Sequence, residues 1–176
     1  WPVMGFGYWV FADKASDADV IAAAEKIGAS TEHTEQAWYI PTMTLPMAKA
    51  SNFHEIHQAA FDVGRPWSVV LNRNGDRFVD EACGYDMFGQ AMVADHLKTG
   101  ANMPSWLIFD AKFRRKFSAG GLMPTVHTPE HKVPKDWWDH YVFRANTIEE
   151  LAAKIHLPVD KVKQQVAKIA EYSKTG

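Results

Sequence analysis

Tyr85 stands between Gly84 and Asp86, an order that presents a phenol from a corner where a strand gives way to a helix, with Asp86 available to cap that helix. A phenol titrates near ~10, so it serves as a base at neutral pH only beside groups that stabilise its phenolate. Proton abstraction is the chemistry such a corner could perform, and a half-buried packing tyrosine is the duller alternative. Arg77, Phe78 and Glu81 precede it in RFVDE. Alternation along a strand puts Arg77 and Glu81 on one side, where they can pair or bond loop amides, so they are read as builders of the corner. Phe88, Leu122 and Met123 could line an apolar ligand pocket, as could Met87, Trp137 and Trp138, although all six could equally be core.

The histidines tempt a metal reading, with His54 and His57 at i, i+3 and His127 and His131 at i, i+4 around Glu130. A zinc-protease helix needs H-E-x-x-H, whereas HTPEH holds a proline inside the spacing and has no identifiable third ligand, so no metal is expected. Cys83 is the sole cysteine, which rules out an internal disulfide and fits a reducing cytoplasm.

These groups need elements to hold them. Val20, Ile21, Ala24 and Ile27 recur at helical spacing from Asp17 to Ile27, with Gly28 as a stop. Ala37–Ile40 is a short β-prone run ended by Pro41, and residues 42–64 read as irregular. Trp67–Leu71 and Arg77–Val79 are expected to form an antiparallel hairpin across Asn74-Gly75, with Asn72 and Asn74 as turn formers without chemistry. Phe88, Ala91, Met92 and Leu97 mark one face of the next helix, Trp106–Phe109 a core strand, and Ala111–Phe117 a short exposed helix. Ser118 to Asp139, rich in Gly, Pro and His, reads as a long functional loop, and Tyr141–Arg144 as an edge strand. Thr147-Ile148-Glu149-Glu150 is a capping box, and Val159, Val162, Val166 and Ile169 line a closing helix from Pro158 to Tyr172. One hairpin and no repeated β-α-β unit predict an α+β domain, a small antiparallel sheet flanked by helices.

The chain has 176 residues, 47% hydrophobic and 12% aromatic, enough for one domain with its own core. A net charge of -2 with scattered Lys and Arg recommends no nucleic-acid or anionic-membrane partner. The opening WPVMGFGYWVF lacks a basic leader and falls short of the ~20 apolar residues of a membrane span, so it is expected to be a loop or edge strand packed against a remainder of the protein. A start at Trp1 and a stop at Gly176 just after a helical pattern predict an excised piece of something longer. A G-x-G-x-x-G turn is absent, since Gly5-Phe6-Gly7 has no third glycine and Gly120-Gly121 runs into Leu122-Met123-Pro124. Tight binding of a dinucleotide by this chain alone is therefore not expected.

The segment from Arg65 to Asp110 resembles the substrate-domain signature of FAD-dependent oxidoreductases of the succinate dehydrogenase/fumarate reductase flavoprotein superfamily, through RFVDE and the spacing Glu81-Ala82-Cys83-Gly84-Tyr85-Asp86. The fumarate reductase branch carries E-x-x-x-R-D there, with the arginine as acid. Tyr85 in that slot is similar to the 3-oxosteroid 1-dehydrogenase branch, where a tyrosine is the base. KIGASTEHTEQAWYIPT, the Met-Pro after Gly-Gly-Leu, and TIEELAAKIHLPVDKVKQQVAKIAEY also resemble family segments, so the likeness covers almost all of residues 20–176.

The resemblance implies that residues 1–176 are a single substrate-binding cap domain whose FAD-binding domain lies outside the chain. It further implies a flavin N5 that takes a hydride while Tyr85 removes a proton beside the ketone of an apolar substrate such as a 3-ketosteroid. Leu122, Met123 and Phe88 would contact that substrate, and FAD would be held mainly by the missing domain of the same parent, leaving the isolated chain inactive. A fumarate-reductase-like domain is disfavoured because a dicarboxylate needs cationic partners. A non-catalytic binding module on the same fold is the other reading.

Overall fold

A computed structural model describes residues 3–7, 19–33, 38–45 and 56–175. Its strands are β1 (Val3–Gly7), β2 (Thr42–Thr44), β3 (Ile56–Gln58), β4 (Ser68–Leu71) and β5 (Ser105–Phe109), and its helices α1 (Asp19–Lys26), α2 (Tyr85–Thr99), α3 (Ala111–Lys116), α4 (Ile148–Lys154) and α5 (Val159–Thr175). The strands make one sheet in the order β3-β2-β1-β5-β4, antiparallel at every pairing. The α+β class and the antiparallel sheet with flanking helices are as the sequence predicts.

Strand alternation explains why the sheet is buried on two sides. Val70, Leu107 and Phe109 feed a core with Met43, Phe88, Met92, Phe113, Leu122 and Val142. Their neighbours Val69, Leu71 and Ile108 feed a second core with Leu151, Ala152, Ile155, Leu157 and Val162 from α4 and α5. The register Val69↔Ile108 and Val70↔Leu107 keeps like faces together.

Several elements differ from the sequence expectation. The opening segment is no edge: β1 lies between β2 and β5, while Trp1, Pro2 and residues 8–18 fall outside the described residues. The expected hairpin does not form, because β4 takes its partner from β5 and residues 77–79 are not a strand. The turn itself is present, with Gly75 N–H donating to Asn72 O at 2.9 Å and the Asn72 side-chain oxygen accepting from Asn74 and Asp76 at 3.0 Å.

Residues 38–40 are not a strand either, and Ala37 lies outside the described residues; pairing begins after Pro41, so residues 42–64 hold β2 and β3 rather than only irregular chain. Tyr141–Arg144 holds bridge residues, Val142 among them paired with Trp138, in place of an edge strand. The helix α3 is not simply exposed, since Phe113 and Arg114 are buried, whereas Leu97 of α2 and the apolar Val20, Ile21 and Ile27 are exposed.

Candidate active-site corner

The corner is held by a carboxylate doing the work of a strand. Arg77 donates to Glu81 Oε2 through Nε at 2.9 Å and Nη2 at 2.5 Å, and the other carboxylate oxygen accepts the Val70 N–H of β4 at 2.9 Å. Glu81 is buried, so this pairing satisfies both a costly charge and an edge amide. The ion pair also raises the Arg77 pKa above its ordinary value. A second fastening comes from Gly64, in left-handed backbone at φ 71°, where a Cβ would approach the Glu81 carbonyl oxygen to 2.4 Å.

From this corner α2 starts at Tyr85, with Gly84 as its cap residue. Asp86 does not cap the helix, contrary to expectation. Its carboxylate instead accepts the backbone N–H of Tyr39 at 2.7 Å and the Gln90 side-chain amide at 2.7 Å. The segment 38–40 is thereby laid across the start of α2, close enough that a Cβ on Gly89 would lie 2.4 Å from Tyr39 Cβ. The half-buried Tyr85 ring stacks on Trp38, with centroids 6.1 Å apart and planes 15° apart. Trp38 is 76% exposed, so the Tyr85–Trp38 pair borders solvent rather than core.

The other predicted residues divide. Phe88 is fully buried, edge-on to Phe78 at 5.6 Å, and Leu122 is buried in the same core cluster. Met123 is 48% exposed on the loop that follows. Met87 is exposed, while Trp137 and Trp138 pack against that core from its rim. Cys83 is half-buried and burial pushes its thiol up, away from thiolate chemistry.

His127 and His131 lie in the loop around Glu130, which pairs with Arg114 at 3.6 Å and Arg144 at 3.5 Å; His54 is outside the described residues. Among the described residues no group of three or more His, Cys, Asp or Glu could hold a metal. Nor is any described helix long and apolar enough to cross a membrane.

The segment from Ser118 to Asp139 contains two single 3₁₀ turns, Glu130–Lys132 and Lys135–Trp137. Buried side chains fasten it down. Arg114 donates to the carbonyls of Met123 and, at 2.6 Å, of Thr128, and this burial lowers the arginine's pKa. Asp62 accepts the Gly120 N–H at 2.8 Å and pairs with His57 at 2.7 Å; Tyr141 donates its hydroxyl to the Gly120 carbonyl at 2.8 Å. Sequence reasoning missed Trp38, Asp62, Arg114 and Tyr141. Trp38, beside Tyr39 in a β-prone run, had a signal of its own; the others act over sequence separations that no local pattern reveals.

A family model described as FAD binding domain matches residues 3–176. The 3-oxosteroid 1-dehydrogenase of Mycolicibacterium smegmatis is 32% identical over 174 residues, which is 96% of this chain and 28% of that protein. The 4-oxocyclohexanecarboxylate 2-dehydrogenase of Sinomonas cyclohexanicum is 24% identical over 171 residues, again 96% of this chain and 28% of the relative. Among solved structures, the 3-ketosteroid delta1-dehydrogenase of Sterolibacterium denitrificans in complex with 1,4-androstadiene-3,17-dione aligns with a TM-score of 0.80 and 33% identity, over 95% of this chain and 28% of that one. The chain thus spans about 28% of the length of these relatives.

A flavin pyrophosphate is held by backbone amides of a glycine-rich turn that opens a helix. Gly5 and Gly7 lie within the paired strand β1, and the Gly120-Gly121 turn is packed shut, with Trp137 and Leu45 at 3.4 Å and 3.6 Å from where a Gly121 Cβ would stand. Gly5 and Gly7 are extended strand backbone and Gly120-Gly121 opens no helix, so these glycines do not fit the pyrophosphate.

Proposed function

The chain belongs to the FAD binding domain family, and we propose that it is the substrate-covering catalytic domain of a flavin-dependent dehydrogenase that introduces a C=C bond beside a ketone, with a 3-ketosteroid as substrate. The observation that carries this reading is the Tyr85 corner. A phenol stands at the first position of a 15-residue helix, half-buried, with its backbone braced by Glu81 and Asp86 and its ring held on Trp38. Desaturation beside a ketone removes a proton from one carbon and a hydride equivalent from its neighbour. The ketone acidifies the first of these, and Tyr85 is the base that takes it. FAD, when bound, supplies the two-electron acceptor, held by the part of the parent beyond this chain.

The helix start helps the base only in part. Negative charge at a helix N-terminus is favoured by only about 0.3–1 kcal/mol. The remaining stabilisation comes from donors that the rest of the parent brings to the corner. Leu122 and Met123 belong to the loop that covers the substrate, Met123 as the contacting side chain and Leu122 as the anchor in the core. Phe88 supports the floor of the corner from inside that core.

The test is Tyr85→Phe in the full-length flavoprotein carrying this chain, which keeps the ring on Trp38 and removes the proton acceptor. Flavin content and thermal midpoint should be unchanged, while turnover of a 3-ketosteroid falls by about 100- to 10,000-fold. A variant that keeps most of its turnover shows that Tyr85 is a packing residue and ends the assignment.

A further inference from the structure

Gly120 is gripped on both sides of its peptide by side chains that the chemistry above does not use. Asp62, 4% exposed, accepts the Gly120 N–H at 2.8 Å from 58 residues away, and Tyr141, 6% exposed, donates to the Gly120 carbonyl at 2.8 Å from 21 residues away. The two grips are linked. The Asp62 oxygen that receives Gly120 also meets His57 Nε2 at 2.7 Å, and the Tyr141 hydroxyl rests 3.9 Å from Met43 Sδ on the neighbouring strand β2. Burial, with the Asp62 charge beside it, raises the Tyr141 pKa, so the hydroxyl remains a neutral donor.

Directly beyond, Ala119 and Leu122 exchange backbone bonds at 3.1 and 2.9 Å, closing a tight turn that ends with Leu122 in the core and Met123 exposed. Burial of Leu122 alone would anchor this turn. A buried carboxylate is costly unless fully paired, and it aligns the turn in a way that apolar packing cannot.

We propose that Asp62 and Tyr141 are positioning residues that clasp Gly120 and so set the Leu122–Met123 loop over the substrate. The inference rests on the reading of that loop as the substrate cover. Neither residue touches the reacting atoms; each acts through the Gly120 peptide.

The experiment uses the full-length flavin-loaded protein and its Asp62→Ala, Asp62→Asn and Tyr141→Phe variants. Hydrogen exchange resolved by mass spectrometry reads the clasp itself, and steady-state kinetics with a 3-ketosteroid read its consequence. Losing one such hydrogen bond should speed exchange over residues 119–123 by about tenfold, with other segments unchanged. KM should rise several-fold at nearly constant kcat, and Asp62→Asn, whose amide oxygen can still accept the Gly120 N–H, should recover most of both. Tyr141→Phe keeps its ring against Trp137 and serves if Asp62→Ala does not fold. Unchanged exchange in Tyr141→Phe overturns the clasp. Faster exchange with KM unchanged, in a protein where Tyr85→Phe still abolishes turnover, overturns the positioning role while leaving the catalytic reading intact. If the wild-type protein desaturates no ketone, the proposed function fails and exchange alone decides the clasp.

Discussion

The corner from Asn72 to Asp86 and the loop from Ser118 to Tyr141 solve one problem at two different ranges. Each is irregular backbone pressed against the same core, and each is held by a buried carboxylate that accepts a backbone N–H. Glu81 draws on Arg77, four residues away, and on Val70, eleven away. Asp62 reaches Gly120 across 58 residues, and Tyr141 meets Met43 across 98. Local bracing gives the Tyr85 corner a geometry set within one stretch of chain. Remote bracing makes the loop depend on the assembled sheet, a construction suited to a segment that must admit and then cover a substrate.

If the corner is the stiffer of the two, removing its brace should cost most. Glu81→Ala removes the buried acceptor of the Val70 N–H, leaves Arg77 only its exposed Asp80 partner, and should lower unfolding stability by about 3 kcal/mol, measured by urea denaturation. Glu81→Gln should recover part of this through the Val70 bond. A loss no larger than that of a surface substitution would erase the distinction between the regions.

Gly64→Ala sharpens it from the other side. The φ of 71° and the 2.4 Å approach to the Glu81 carbonyl oxygen make alanine strained there, for about 2 kcal/mol. The loss should appear in thermal melts, and exchange over residues 77–85 should rise before that over 119–123.

The smallest expected effect separates the regions by pH. The hydrogen bond to Asp62 holds the His57 pKa above its ordinary value, so its stabilisation is complete below about pH 6.5 and is lost as pH rises through the higher folded value. Melting of the wild type should therefore decline modestly upward from about pH 6.5, and Asp62→Asn should flatten that slope. His57 has a 35% exposed side chain, which keeps the effect small. A slope that survives in Asp62→Asn would assign it to another group.

Short-range signals were legible in the sequence wherever the partners lie close together. The Thr147 cap, with its hydroxyl accepting the Glu150 N–H at 3.2 Å, forms as the capping box predicts. The Asn72 turn and the Arg77–Glu81 pair were likewise readable from spacing. Sequence pattern also determined the α+β class, the helices that close the chain, and the tyrosine at the first residue of α2.

Only the tertiary structure decided which strand β4 would pair with. A hairpin to Arg77–Val79 and a sheet with β5 both satisfy alternation, but β5 buries two faces at once and Glu81 then takes the Val70 N–H left at the edge. The central place of β1 was invisible for a similar reason, because an apolar stretch does not say how many neighbours it will have. Asp62, Arg114 and Tyr141 carry no local pattern; each is polar, buried and bonded to backbone groups that only the folded chain brings within reach. Hydrogen bonds between residues a few positions apart are encoded by spacing, whereas those that hold the loop exist only after the sheet has formed.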